Sequence, residues 1–194
     1  CVEDPSLITN ENFSFMGVIS TFLKGKIPCR IARISFSGEL AFEVYIKSDF
    51  ANTMMDLLWE NAQKHNGCLY GLEALGALRV EKGHVTGAEL DGRVTIDDAG
   101  LGKMASIKKS YIGSAMRKRG VLSAANRETL VGFFPTNLKE IFNAGTIVCE
   151  KNNIRGQGIG RITSVTHSPE LGHWIGIGFI EGGLDKWKDT TLVG

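Results

Sequence analysis

Glu43 is the side chain whose type and position in this sequence best suit ligand chemistry. Apolar residues alternate along positions 40–46, so a strand is predicted there with one apolar face. Glu43 falls on the opposite face, between Ala41 and Tyr45. A carboxylate there can accept two N–H donors side by side, as the amino-pyrimidine edge of a flat heterocycle presents them. Judged by spacing alone, a solvated acid on an exposed sheet face is the commoner outcome.

The sequence contains no complete set of residues for a metal site, a disulfide framework, a nucleophilic serine or a nucleotide-binding loop. Four cysteines stand apart at positions 1, 29, 68 and 149, so reduced thiols are predicted rather than a zinc site or a disulfide framework. His167 and His173 flank a turn without a third ligand. No Gly-x-Ser-x-Gly turn occurs, and the glycines at 156–160 lack the spacing of a nucleotide loop. The sequence therefore nominates no catalytic residue and no metal ligand.

Two strands and two helices are predicted to position the Glu43 carboxylate. The strands are indicated by alternation, and the helices by apolar residues at helical spacing. The predicted elements are strands 30–36 and 40–46 joined by a tight turn at Ser37-Gly38, a helix from a cap at Ser48 or Asp49 through Gln63, and a helix over 71–82 ended by Gly83. Beyond them, 87–102 is predicted to be mostly loop and 112–119 a short helix.

The pattern of the sequence changes after Glu128. Short β-rich runs separated by turn residues cover 130–135, 146–151, 158–166 and 174–180. Runs at this spacing favour a small barrel or sandwich, and the polar stretch 120–128 is typical of a linker. The predicted fold class is therefore α+β. A partial α+β domain at 1–122 precedes a small all-β barrel domain at 123–194.

Composition restricts the partners of the chain more than its chemistry. The 194 residues carry a net charge of +1, with 43% hydrophobic and 22% charged residues, as in ordinary globular proteins. We therefore expect no bulk binding of nucleic acid or membranes, with a local charged patch left open. The reduced cysteines predict a cytoplasmic protein. The opening residues do not resemble a signal peptide, and because the first residue is not Met we expect a fragment or a processed product. A basic stretch at 108–119 is expected to be a solvated helix or a partner surface.

The run Phe36-Ser-Gly-Glu-Leu-Ala-Phe-Glu43 resembles a motif of the aminomethyltransferase family, Tyr-Thr-Gly-Glu-x-Gly-x-Glu. That family includes the T-protein of the glycine cleavage system and the folate domains of flavoenzymes that oxidise sarcosine and dimethylglycine. The resemblance implies a ferredoxin-like sheet with helices, in which Glu43 binds the pterin of folate. It places Phe36 where a tyrosine lines the pocket. Phe36 can contact a ring but has no hydroxyl to donate, and Ala41 replaces the second glycine of the motif.

The predicted helical segment Gly71–Gly83 also resembles a motif of this family. Its differences from the glycine cleavage version of the motif indicate which subgroup of the family the chain is similar to. Glycine cleavage proteins resemble Gly-Leu-x-Ala-Arg-Asp-x-Leu-Arg-x-Glu, in which the first arginine contacts folate. Leu75 stands in that place here, and Gly76 replaces the aspartate. This version and the run 91–102 are similar to the sarcosine oxidase alpha subunit, while the turn 168–172 resembles the C-terminal barrel of the family.

Arg79 and Lys82 share the side of this helix that carries Leu75. In a folate protein they could meet the glutamate tail of the ligand. A surface ion pair with Glu81 or another acid is the stronger expectation, because exposed pairs are common.

The resemblance implies the C-terminal tetrahydrofolate-binding region of a sarcosine oxidase alpha subunit. Such enzymes oxidise sarcosine to glycine at a flavin and pass the one-carbon unit to tetrahydrofolate. The folate site implied includes Glu43, Phe36 and Leu75. The partners implied are folate and the other sarcosine oxidase subunits, with FAD, FMN and NAD only elsewhere in the full enzyme.

The resemblance implies that the aspartate near the folate chemistry lies in the N-terminal half of the family, and we expect that half to be missing here. The chain alone is therefore expected to be inactive, with a folate pocket that is incomplete. Two alternatives remain open. One is a stand-alone aminomethyltransferase of the glycine cleavage type, and the other is a non-catalytic folate-domain assembly protein.

Overall fold

The computed structural model describes all residues of the chain, 1–194, which divide into two compact units. The first unit is Cys1–Leu75 and the second is Gly76–Gly194. No helix is long and apolar enough to cross a bilayer. The domain boundary at 122/123 stays a prediction.

A three-stranded antiparallel sheet dominates the first unit, in the order β1-β2-β3. The strands are β1 (Val18–Leu23), β2 (Ile27–Ala32) and β3 (Glu43–Ile46). In the short loop between β1 and β2, Gly25 and Lys26 both have positive φ, at 83° and 60°. Positive φ at successive loop residues matches the right-handed twist of a hairpin.

One face of this sheet packs on a hydrophobic core. Helix α1 (Ala51–Lys64) presents Met54 and Leu57 to that core. Burial of each aliphatic side chain stabilises the unit by about 1.5–3 kcal/mol. The buried members of the cluster are Val2, Phe13, Leu23, Ile27, Cys29 and Ile31.

The register of β2 and β3 agrees with the predicted turn centre, but β2 ends earlier and β3 begins later than predicted. Arg30 pairs with Tyr45, and these residues lie seven positions before Ser37 and seven after Gly38, as a turn centred there requires. β2 ends at Ala32 and β3 begins at Glu43. The prediction of strand at 33–36 and 40–42 is therefore wrong.

Side-chain hydrogen bonds within the connection and to the distant residues Asn10 and Phe13 explain why residues 33–42 leave the pairing with β3. The Arg33 guanidinium donates to the Phe13 carbonyl at 2.5 Å and to Asn10 at 2.8 Å. The Ser35 hydroxyl accepts the N–H of Gly38 at 2.7 Å. Such bonds offer the backbone an alternative to strand pairing, and the connection is a ten-residue loop rather than a tight turn.

The predicted cap of α1 is also wrong. Ser48 and Asp49 lie in a 3-10 turn, Ser48–Phe50, and α1 begins after it. The residue before the helix, Phe50, makes no side-chain capping bond. By contrast, α2 (Leu72–Lys82) ends as predicted, because Gly83 adopts a φ of 73° and donates its N–H to Val80 at 2.9 Å.

A five-stranded antiparallel sheet dominates the second unit, in the order β4-β7-β6-β5-β8. It confirms the β-rich character predicted after Glu128. Its core cluster is Val131, Val148, Ile162 and Ile180, and a short helix α3 (Gly183–Trp187) follows β7. The strands are β4 (Glu128–Phe133), β5 (Ile147–Glu150), β6 (Gly160–Ser168), β7 (His173–Glu181) and β8 (Leu192–Val193).

Loops and turns connect α2 to this sheet. The stretch 87–102 is loop, as predicted. The predicted helix over 112–119 is wrong, since only a 3-10 turn, Met116–Lys118, forms there. A second 3-10 turn covers Gly102–Met104.

Candidate functional site

Four side chains of β2 and β3 lie on the same face of the sheet, the face opposite the core. Arg30 lies opposite Tyr45, and Ala32 lies opposite Glu43. Val18 of β1 pairs with Ala32 from the other side. We call these five residues the outer sheet face. Alternation along each strand places them opposite the side chains that enter the core.

A shallow depression of about 330 Å³ opens on the outer sheet face. Five residues line it: Val18, Arg30, Ala32, Ile34 and Tyr45. The walls are almost entirely apolar, and Arg30 is the only charged residue among those that line them. A flat ring could pack here beside the Glu43 carboxylate, because Glu43 is paired with Ala32 on the neighbouring strand.

Glu43 is exposed, and its carboxylate accepts a hydrogen bond from the Tyr45 hydroxyl. The two residues are neighbours on one face of β3, which confirms the predicted alternation. The hydrogen bond to the carboxylate raises the pKa of Tyr45 above its usual value of 10, with smaller contributions from burial and from the Glu43 charge. Tyr45 therefore stays a donor that orients the carboxylate, whose remaining lone pairs face solvent.

Phe36 and Leu75 lie on other elements of the first unit. Phe36 is in the 33–42 connection and is 36% exposed. Leu75 is half-buried in the first turn of α2, where its N–H donates to Gly71 at 3.1 Å. The structure thus brings Glu43 together with Tyr45 and Arg30, while the roles of Glu43, Phe36 and Leu75 toward a ligand stay predictions.

Sequence reasoning missed Arg30 as a member of this site. Its position opposite Tyr45 follows from a register centred on Ser37-Gly38, so the signal was present in the sequence. Neighbouring Phe42 stacks on buried Phe13 with ring centroids 6.1 Å apart. That contact anchors the chain one residue before Glu43.

The expectation that Arg79 forms a surface ion pair is wrong. Arg79 is 14% exposed and pairs with Glu89 at 3.0 Å, and Glu89 is fully buried at 0%. Arg79 also donates to the hydroxyl of Ser164 at 2.7 Å. Glu81 is instead bound to the Ser168 hydroxyl at 2.5 Å. The guanidinium of Arg79 is therefore committed to the structure of the second unit.

Glu89 accepts bonds from donors on several elements of the second unit. The Ser164 hydroxyl donates at 2.6 Å, that of Thr163 at 2.7 Å, and the Thr86 N–H at 2.8 Å. Burial, the largest influence, raises the pKa of Glu89, but these bonds and the Arg79 charge together lower it below its usual value. Glu89 is therefore an ionised, buried acid that stabilises the fold.

Comparison with known families divides the chain into two matched stretches. Residues 2–109 match the GCVT N-terminal domain, and residues 129–193 match the glycine cleavage T-protein C-terminal barrel domain. The two matches confirm the predicted fold class and the predicted family resemblance.

Curated relatives include both oxidase subunits and transferases. The chain is 36% identical to the sarcosine oxidase subunit alpha of Rhizobium meliloti over 191 residues, which are 96% of the chain and 19% of the relative. It is 29% identical to an aminomethyltransferase of Streptomyces coelicolor over 80% of the chain and 42% of the relative. It is also 32% identical to the formaldehyde-forming 4-methylaminobutanoate oxidase of Paenarthrobacter nicotinovorans over 82% of the chain and 19% of the relative. These relatives are enzymes, and the chain spans less than half of each.

A solved structure shares the fold. The aminomethyltransferase T of the glycine cleavage system from Bartonella henselae matches with a TM-score of 0.78 and 21% identity. The match covers 95% of this chain and 49% of that protein.

Proposed function

Because the chain belongs to the glycine cleavage T-protein (GCVT) family, we propose that it forms the C-terminal part of a tetrahydrofolate-binding region in a sarcosine oxidase alpha subunit. The full enzyme would oxidise sarcosine to glycine and pass the released one-carbon unit to tetrahydrofolate. Other subunits would be its partners, and FAD, FMN and NAD would bind elsewhere in the enzyme.

The observation that carries the proposal is the position of Glu43 at the end of the family motif and on an exposed face. An amino-pyrimidine ring needs an acceptor that can take two N–H bonds, and a carboxylate is such a group. The apolar depression beside Glu43 suits the flat body of the ring. The residues present therefore fit the pterin of folate.

Each residue of the outer sheet face has a separate task in this proposal. Glu43 binds and orients the pterin, and Tyr45 holds the Glu43 carboxylate in place through its hydroxyl. Val18 and Ala32 give the ring an apolar contact surface. Tetrahydrofolate, when bound, supplies the nitrogen atoms that accept the one-carbon unit. Phe36 and Leu75 would contribute further apolar contacts from their motif positions.

Two features favour an oxidase subunit over a stand-alone transferase. Identity to the Rhizobium oxidase subunit is 36% over 96% of the chain, against 29% over 80% for the Streptomyces transferase. Leu75 replaces the arginine of the transferase-type motif, which removes a charged contact to folate. An assay of the whole protein distinguishes the two.

The test is purification of the full-length protein from its native source, followed by measurement of its mass and bound flavin. We expect a hetero-oligomer with flavin that forms methylene-tetrahydrofolate from sarcosine. A flavin-free monomer that uses an aminomethyl carrier would instead establish the transferase. A protein that binds folate without turning over either donor would establish the non-catalytic alternative.

A further inference from the structure

A second concave site lies in the loops that precede the five-stranded sheet. A cavity of about 720 Å³ opens there, within the second unit. This volume lies in the range of small-molecule sites, about 300–1,000 Å³. Loop residues 106–111 form one part of its wall, and residues 122–127 form another.

The cavity is built largely from sequence outside the two family matches. Of its 17 lining residues, ten fall within 110–128. The matched stretches end at 109 and resume at 129. The cavity therefore takes most of its lining from this loop segment, while Lys108 and Lys109 stand at the end of the first matched stretch. It belongs to the second unit, whereas the outer sheet face belongs to the first.

Positive charge dominates the lining because its acids are already neutralised. Arg117 binds Asp97 through two hydrogen bonds of 2.6 Å, and Arg127 binds Asp98 at 2.9 and 2.5 Å. The Arg117 guanidinium lowers the pKa of Asp97. Both carboxylates therefore remain ionised and paired at neutral pH, and they leave the other cations of the cavity uncompensated.

Three lysines supply those uncompensated charges. Lys108, Lys109 and Lys118 line the cavity, are exposed, and form no ion pair in the structure. Like charges confined around one concavity repel each other and attract anions. Three ammonium groups offer nine N–H donors, so the ligand they suit carries several oxygen acceptors.

Hydroxyl groups complete the lining with neutral donors. Six hydroxyl side chains reach the cavity. One of them, Tyr111, acts with Asp97, which has the larger influence, to raise the pKa of Arg117. The hydroxyl residues are Ser106, Ser110, Tyr111, Ser114, Ser123 and Thr129.

We propose that this cavity binds a small polyanion that carries phosphate or carboxylate groups. Lysines and hydroxyls recognise oxyanions of both kinds, so the shared chemistry is an array of anionic oxygens. The site does not depend on the folate function. It explains the basic stretch at 108–119 as a ligand site within the loops, where the sequence indicated a solvated helix or a partner surface.

Calorimetric titration of the full-length protein with pyrophosphate and with citrate tests the proposal. We expect one of these anions to bind and its affinity to fall as ionic strength rises, because the lysines are exposed to screening. The tighter of the two identifies the phosphate or the carboxylate source. The double variant K108Q/K109Q should weaken that binding at least tenfold, roughly the loss of charged hydrogen bonds.

Two controls keep the result specific. The matched double variant K139Q/K151Q removes two exposed lysines outside the cavity and should leave the affinity unchanged. In the unmodified protein, the bound anion should protect Lys108, Lys109 and Lys118 from chemical acetylation, as mass spectrometry would detect. Absence of binding by both anions, or equal affinity for the two double variants, would overturn the proposal.

Discussion

Replacement of Glu89 by glutamine should destabilise the second unit strongly. The Glu89 side chain is fully buried, and it is the ionic partner of Arg79 at 3.0 Å. Removal of one member of a buried pair typically costs about 3–5 kcal/mol, because the other charge is left without compensation.

The geometry of the network places E89Q at the lower end of that range. The hydroxyls of Thr163 and Ser164 contact one oxygen of Glu89, while Arg79 and the Thr86 N–H contact the other. The hydroxyls can rotate to accept from an amide NH₂, so the amide oxygen can still serve the N–H donors. The loss is then mainly the negative charge, and we expect about 3 kcal/mol.

Urea denaturation at several pH values is the assay for E89Q. The folded-state pKa of Glu89 is lowered below 4.5, so the stabilisation by its charge is complete above pH 4.5 and is lost as pH falls through the folded value. The difference in free energy of unfolding between the native protein and E89Q should therefore shrink in acid.

The control for E89Q is E170Q, which removes an exposed acid of the same unit. Surface changes of this kind alter stability by about 0.5 kcal/mol or less. The double variant R79M/E89L should be less destabilised than E89Q, since no unpaired charge remains. If E89Q matches E170Q, or if its effect is the same at acid pH, the buried-pair interpretation fails.

Three further predictions concern other parts of the chain. Spectrophotometric titration, with Y45F to identify the signal of Tyr45, should find that Tyr45 ionises above pH 10. E43Q should lower the pKa of Tyr45, and an unaltered titration in E43Q would contradict the hydrogen bond. G178A should destabilise by about 1–3 kcal/mol, because an added Cβ would lie against the Arg161 carbonyl and 2.8 Å from Ile162 Cα. G76A, where the space is open, should stabilise by about 0.5–1 kcal/mol, and thermal melts that rank the two alike would refute this comparison. The 194-residue chain alone should not turn over sarcosine, and any turnover without added subunits would be the contrary result.

Local sequence pattern was sufficient for β3 over 43–46 and for the end of α2. The alternation at 43–46 put Glu43 and Tyr45 on one exposed face, and Gly83 ends α2 because only a left-handed residue fits there. The predicted centre at Ser37-Gly38 also carried the correct register, although the connection is a ten-residue loop and not a tight turn. These features depend on residues close together in the sequence, where periodicity and turn chemistry act directly.

Features that depend on distant contacts were not accessible from pattern. The early end of β2 depends on Arg33 reaching the Phe13 carbonyl, twenty positions away. The burial of Arg79 depends on Glu89 and on Ser164, which is 85 positions away. The lysine-lined cavity is made by loops, for which periodicity gives no signal.

Folate affinity of the full-length protein with Glu43→Gln tests the central claim most directly. Isothermal titration calorimetry with tetrahydrofolate should show binding weakened by about 1–3 kcal/mol, roughly 5- to 150-fold, as expected for a lost charged acceptor. The control E60Q changes an exposed acid on α1 and should bind folate like the native protein. Equal folate affinity for the native protein and E43Q would contradict the assignment of Glu43 as the pterin-binding residue.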